Sequence, residues 1–327
     1  KPSRGIRWKG KGMARFICTA AILIALSSTI LQAQDESESA DRALNIGVGT
    51  SGLSFGNSVR HNGVRFNWSD RRIEEINGVN MTLWKPADNL SGTINGLSIG
   101  LVAPGAEDIN GISVGGLAVI GKNSLNGVSI GGLALVSSGS VTGLNVGGLA
   151  IVGGRGVTGF NLGGLAVVSS GKLVGINFGG LAVVGKSEIV GLNFGGLAVV
   201  SDGSMSGLNY GGLPVVAREG LSGVNFGGLA VVSEGIVSGI NFGGLAVVGL
   251  GGIKGVSFGT LGIVSKSNIT GLNFTLGDLR NDKPEDDTQQ ASAVRQALSR
   301  RPEGRGVTRQ VSSTAEGDPA EENLTPV

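Results

Sequence analysis

The sequence predicts an all-β protein: a single-chain β-solenoid of about eleven regular sixteen-residue coils, with irregular coils before them. Three observations carry this expectation. The glycine of Asn110-Gly111-Ile112-Ser113 returns at 127, 143, 159, 175, 191, 207, 223, 239, 255 and 271 without an insertion. Each unit consists of short runs rich in Val, Ile, Leu and Phe, and no unit carries a helical stripe. A unit this small cannot bury its own apolar side chains, so like must stack on like to make one continuous core.

Taking that glycine as position one, the consensus is G-[LIV]-N-[FLVI]-G-G-L-A-V-V, four variable residues, an apolar residue and a small polar one. One β segment is expected from position fifteen through position four, and a second from seven through ten. A Gly-Gly corner separates them on one side. On the other lies a variable turn such as "SSGS" or "GGRG", whose residues reach positive φ or bond their own backbone. Position two is always apolar, position four drifts from Val114 to Phe178 and later aromatics, and position seven is Leu in ten units. Parallel strands at ~4.8 Å per coil would build a rod on the order of 50 Å long.

The flanks divide the chain further. Residues 13–33, Met13 to Ala33, read as a secretory signal: Arg15 precedes the short apolar run Phe16 to Leu26, and Leu31-Gln32-Ala33 suits cleavage. The twelve residues before Met13 read as upstream sequence. Residues 34–105 keep the theme with looser units at Gly63, Gly78 and Gly96, and carry Trp68, Trp84 and the charged run Asp70 to Glu75; a cap over the end of the solenoid is expected here. Residues 106–279 hold the regular repeat. Residues 280–327 are charged, poor in apolar groups and read as disordered, with a short helix conceivable over 288–301.

Composition narrows the function classes. Glycine is abundant, 61 of 327 residues, without a three-residue period or much proline, which excludes collagen. Of 26 basic residues six lie in 1–33, leaving 20 against 24 acidic ones after export, so nothing recruits nucleic acid. The only cysteine, Cys18, lies inside the signal, and His61 is the only histidine. Thiol and Ser-His-Asp catalysis and histidine zinc sites therefore lack their residues, and acidic residues in the regular coils occur singly in turns. No enzyme, cofactor or metal site is expected.

Two columns invite a reading. Position three is Asn145, Asn161, Asn177, Asn193, Asn209, Asn225, Asn241 and Asn273, with Ser113, Ser129 and Ser257 in the other units. Stacked amides can hydrogen-bond from coil to coil, a structural role. A ligand-binding stripe is the sharper alternative, though a ladder explains the regularity without a ligand. The run "LAVV" is apolar at all four positions, so a pair points outward whichever pair points in. With Leu and Val of positions seven and nine inside, Ala and Val of eight and ten would lie outside, and a strand apolar on both faces is normally covered on both. The N-terminal segment, a second copy or lipid is the expected cover, so self-association, a surface partner and membrane association all stay open.

"GLAVVGKS", Gly180 to Ser187, matches the phosphate-loop pattern G-x-x-x-x-G-K-[ST]. A phosphate loop needs a preceding strand, a following helix and free amides. Here the same letters fall on "LAVV" and the variable turn, and the next coil follows, so no nucleotide is expected. The alternative fold is an outer-membrane antiparallel β-barrel or pore, with positions fifteen to ten as one twelve-residue strand. Mid-strand Gly-Gly, two apolar faces, no aromatic girdles and the polar tail argue against it.

The unit G-[LIV]-N-F-G-G-L-A-V-V over Gly63 to Gly277 resembles the leptospiral-type surface repeats of secreted and surface bacterial proteins, departing in its doubled glycine, as at Gly195-Gly196, and in its Ala-Val-Val run. The resemblance implies export and a surface or extracellular address. The function expected is a non-enzymatic scaffold for adhesion, surface structure or self-association.

Overall fold

The computed structural model describes residues 43–281. The signal-like segment Met13–Ala33 with Cys18, and the tail from residue 282 with its 288–301 stretch, lie outside the described residues. The described chain contains no helix and winds into a parallel β-solenoid of about 14 turns, not a barrel.

One parallel ladder runs the length of the rod, and a second joins it from Gly105 to Asn281. The first is built from strands of about eight residues, such as Gly156–Gly163 on Lys172–Gly179, in which glycine pairs with glycine and Asn161 with Asn177. The second is built from four-residue strands, such as Ala166–Ser169 on Ala182–Gly185. The first strand runs from position fourteen through five, one residue longer at each end than expected, and the second from eight through eleven, shifted by one residue from the expected span. Position seven therefore lies in the corner rather than in a strand.

This offset decides what is inside. Positions fifteen and nine supply the apolar core, with Val157, Leu173, Ile189, Val167, Val183 and Val199 fully buried. Positions three and eleven face the same interior with Asn and Ser, as in Asn161 and Ser169. The leucine of position seven is not in the core. Leu165 and Leu181 keep 42% and 45% of their surface exposed. Strand alternation makes nine and eleven the inward pair and leaves eight and ten outside.

Glycine is required within the long strand and at the corner of each coil. Gly175 at position one has φ +118°, and a Cβ there would overlap the carbonyl oxygen of Gly159 in the preceding coil. A Cβ on Gly180, at the second corner position, would overlap the carbonyl oxygen of Gly164.

At the N-terminal end the first ladder extends one coil further than the looser units suggest. Strand β2 (Ser51–Gly56) sets Gly52 against Gly63 of β3 (Arg60–Asn67) in parallel. Strand β1 (Ala43–Val48) folds back on β2 antiparallel, from Ala43 opposite Gly56 to Val48 opposite Ser51. The parallel edge is thus closed by a reversed strand. At the other end the second ladder continues to Asn281, which pairs with Ser265.

Candidate interaction surface

The structure resolves the repeat into inward and outward columns, and the outward ones are mostly apolar. Position two lies outside, with Leu144, Phe160, Leu192 and Ile240 exposed by 39–45%. Position four lies outside beside it, and its rings stack along the rod. Phe178 and Phe194 lie 4.9 Å apart, and Phe226, Phe242, Phe258 and Phe274 follow at 4.6–4.8 Å. Leucines of position seven line the corner, and positions eight and ten present Ala and Val, as in Ala166 and Val168, both half-buried. The apolar columns of consecutive coils are contiguous, because each coil sits on the one before at the spacing of a β-ladder.

Between columns four and seven the glycine corner leaves a hollow near each end of the rod. Near the N-terminus it is lined by Phe55, Phe66, Trp68, Met81, Leu83 and Leu101 and has a volume of about 610 Å³. Trp68 and Trp84 stack beside it at 6.0 Å. At the C-terminal end Phe242, Phe258, Phe274 and Leu276 line a second hollow of about 530 Å³.

Within the regular coils, charge is concentrated in the variable turns. Lys172 pairs with Glu188 at 2.9 Å, and Arg218 lies 3.6 Å from Asp202 and 4.0 Å from Glu234, all well exposed. Such pairs contribute little stability, typically below about 1 kcal/mol. Among the described residues no group of three or more His, Cys, Asp or Glu side chains is placed to hold a metal.

The interior contains the asparagine column. Asn145 donates its amide N–H to Asn161 at 2.9 Å, and the same bond runs through Asn177, Asn193, Asn209, Asn225 and Asn241 at 2.8 Å each. Every bond points the same way, from each coil to the next. These six bonds bury their amides away from solvent, and the structure places no surface stripe here for a ligand to reach. Asn273 stands in the same column but outside the chain of bonds. Its neighbour is Ser257, too short to span the gap, and its amide donates to the carbonyl of Gly271.

Two polar arrangements escaped the sequence reading. A second ladder lies outside at position sixteen, where Asn77 donates to Asn62, Asn95 to Asn77, Asn110 to Asn95 and Asn126 to Asn110, at 2.9–3.0 Å. Its signal was available: an asparagine precedes the glycine at Gly63, Gly78, Gly96, Gly111 and Gly127. The other is a buried ion pair. Arg65 and Asp70 meet at 2.9 Å with no side-chain exposure, inside the first coils. Asp70 also accepts from Asn67 at 2.8 Å, Thr82 at 2.8 Å and the Gly105 backbone at 3.1 Å. Burial lowers the pKa of the Arg65 guanidinium from its ordinary value, and the charge and hydrogen bond of Asp70 oppose that shift. Asp70 belongs to the charged run expected to form part of a cap, and only the fold reveals that its side chain is buried in the interior. His61 is buried nearby, its Nε2 2.9 Å from the Gly52 carbonyl oxygen.

The phosphate-loop match has ladder geometry. The Gly180, Leu181, Ala182 and Lys186 amides donate to Gly163, Leu165, Leu165 and Ser169 of the preceding coil, at 2.7–3.2 Å. The strand Ile189–Gly195 follows, where a phosphate loop needs a helix N-terminus.

No protein-family model matches this chain, and neither a curated protein nor a solved structure matches it. The columns themselves are therefore the material for a functional reading. They divide into an interior where buried amides and hydroxyls stand beside an aliphatic core, and an exterior whose strand columns are largely aromatic and aliphatic.

Proposed function

We propose that the chain is an exported, non-catalytic repeat scaffold, at the cell surface or outside the cell, acting in adhesion, surface structure or self-association. One observation carries the reading: positions two, four, seven, eight and ten all face outward and are apolar through successive coils. A soluble monomer rarely leaves a contiguous apolar patch beyond about 300–600 Å² uncovered, and surfaces larger than that mark contact sites. The signal-like segment Met13–Ala33 and the resemblance of the repeat to leptospiral-type surface repeats support an exported address. The alternative of a pore or barrel has no antiparallel wall to rest on, since the coils stack in parallel.

The test is protease accessibility on intact cells of the organism that makes the protein. Digestion of the repeat region while a cytoplasmic marker survives would support the reading. Full protection, with the chain recovered in the cytoplasmic fraction, would overturn it.

A further inference from the structure

The second ladder presents a face that fits itself. Position eight is alanine in eight of ten coils from Ala118 to Ala246, with Pro214 and Gly262 in the other two, and position ten is Ile120 followed by nine valines. The alanines lie on the outer side of the short strands and are half-buried, except Ala150, which is buried, whereas the outward positions two and four of the long strands carry side chains as large as Phe160 and Phe178. A column kept small on the outside therefore answers to something that approaches from outside. The surface it makes is regular, a ridge of Leu165 and Leu181 type, a groove of alanine, then a ridge of valine.

We propose that this face docks a second copy of the same chain, the rods lying parallel about a two-fold axis along their length. The inference rests on the reading that the exterior works by contact, and it names the partner. Rotation about an axis along the rod reverses the order of columns across the interface and keeps each coil opposite its own counterpart. The valine ridge of each copy then enters the alanine groove of the other, the self-complementarity that an isologous contact requires. An antiparallel pair would set alanine on alanine and valine on valine, ridge against ridge. In the parallel pair the charged turn of one copy lies beside the leucine edge of the other, so like charges never face each other.

The area is sufficient. Ten coils at ~4.8 Å and four residues at ~3.3 Å give about 600 Å² on each copy and about 1,200 Å² in the pair, before the leucine edge is counted. A specific interface starts near 1,000 Å². The aromatic face of positions two and four lacks the groove, since both its columns are bulky, and its rings already stack on one another.

Sedimentation of the purified chain tests this. The wild type should run at twice the monomer mass, and a triple variant Ala166→Glu, Ala182→Glu, Ala198→Glu at the monomer mass with an unchanged β circular dichroism spectrum. Phe226→Glu with Phe242→Glu should leave the dimer intact. In a Cys18→Ser background, Ala134→Cys mixed with Val136→Cys should form a disulfide dimer on oxidation. Cross-linking of Ala134→Cys to Ala246→Cys instead would overturn the parallel arrangement. Association that survives the glutamates, or that the phenylalanine variant abolishes, would overturn the choice of face. A monomeric wild type that floats with neutral phosphatidylcholine vesicles, and stops doing so with the glutamates, would replace the second copy by lipid. A monomer indifferent to vesicles overturns the dimer, while the surface-scaffold reading stands or falls separately on cell-surface proteolysis.

Discussion

The side-chain amide of Asn177 donates to the side-chain carbonyl of Asn193 across one coil at 2.8 Å, with both residues wholly buried. Asn193 in turn donates to Asn209 at 2.8 Å, so each amide in the middle of the column has a partner above and below. An interior of low dielectric strengthens such a chain and makes each break costly. The column lets a narrow coil carry amides where a larger apolar side chain would have to be matched in every turn.

Asn193→Ala therefore leaves the Asn177 donor and the Asn209 acceptor unsatisfied in the core. At about 1–3 kcal/mol for each orphaned group, this substitution should destabilise far more than Asn273→Ala, which lies outside the bonded run and should stay within about 0.5 kcal/mol. Urea or guanidinium unfolding of the two variants checks the difference. Equal losses would mean that the ladder contributes nothing beyond burial.

Leu173 and Leu181 are eight residues apart and on opposite sides of the wall: Leu173 is fully buried at position fifteen, whereas Leu181 keeps 45% of its surface exposed at position seven. Leu173→Ala should cost about 2–5 kcal/mol through lost burial and the cavity left behind. Leu181→Ala, half in solvent already, should cost about 1 kcal/mol or less. Denaturant midpoints measure both. The opposite ranking would place the leucine column inside and invalidate the strand phase.

These two leucines also mark how far the sequence could be read. The sixteen-residue spacing, the parallel coil and the glycine corners follow from periodicity and sterics, which are local and repeat eleven times. The limits of the short strand do not: the expected inward face of position nine and outward faces of eight and ten hold, but "LAVV" is apolar throughout and gives no sign that the strand starts after its leucine. The one-residue offset that moved Leu181 out of the core was invisible for that reason. The inner amide column was visible because asparagine recurs at one position. The Arg65–Asp70 contact was not: Arg65 and Asn80 pair at position three of the looser units and Asn67 and Thr82 at position five, but Asp70 and Asn57 come from between the long strands and Gly105 from the first residue of the strand Gly105–Gly115, where no repeat marks them. Reversal of β1 was equally hidden, since pairing direction is decided by the Val48–Ser51 turn rather than by the alternating pattern of either strand.

The Arg65–Asp70 pair makes a prediction of its own. Asp70→Asn keeps the size of the side chain and removes the negative charge that meets the buried guanidinium. Breaking a buried pair by removing one partner costs about 3–5 kcal/mol, whereas replacing both with apolar groups of similar volume is near neutral. Asp70→Asn should therefore lower the thermal midpoint of the N-terminal coils clearly, and Arg65→Met with Asp70→Leu should recover much of the loss. Hydrogen exchange resolved to β3 and to β4 (Glu75–Thr82) would localise the effect. A double variant no better than the single would show that the surrounding amides, not the charge, require Asp70.

Gly180 and Lys186, the first and seventh residues of the phosphate-loop match, provide the last test. In a nucleotide site Lys186 would carry affinity by charge and Gly180 would serve only the turn. In the coil the demands reverse. Lys186→Ala touches an exposed turn side chain, while its backbone amide goes on donating to the Ser169 carbonyl at 2.9 Å. Stability should change by less than about 0.5 kcal/mol. Gly180→Ala forces a methyl group onto the carbonyl oxygen of Gly164, and neither backbone can withdraw without opening the ladder on both sides. It should cost several times more than Lys186→Ala in a denaturant titration. ATP titrated against the wild type and Lys186→Ala should give the same absent response by calorimetry. A saturable ATP signal lost with Lys186 would return the segment to the phosphate-binding class.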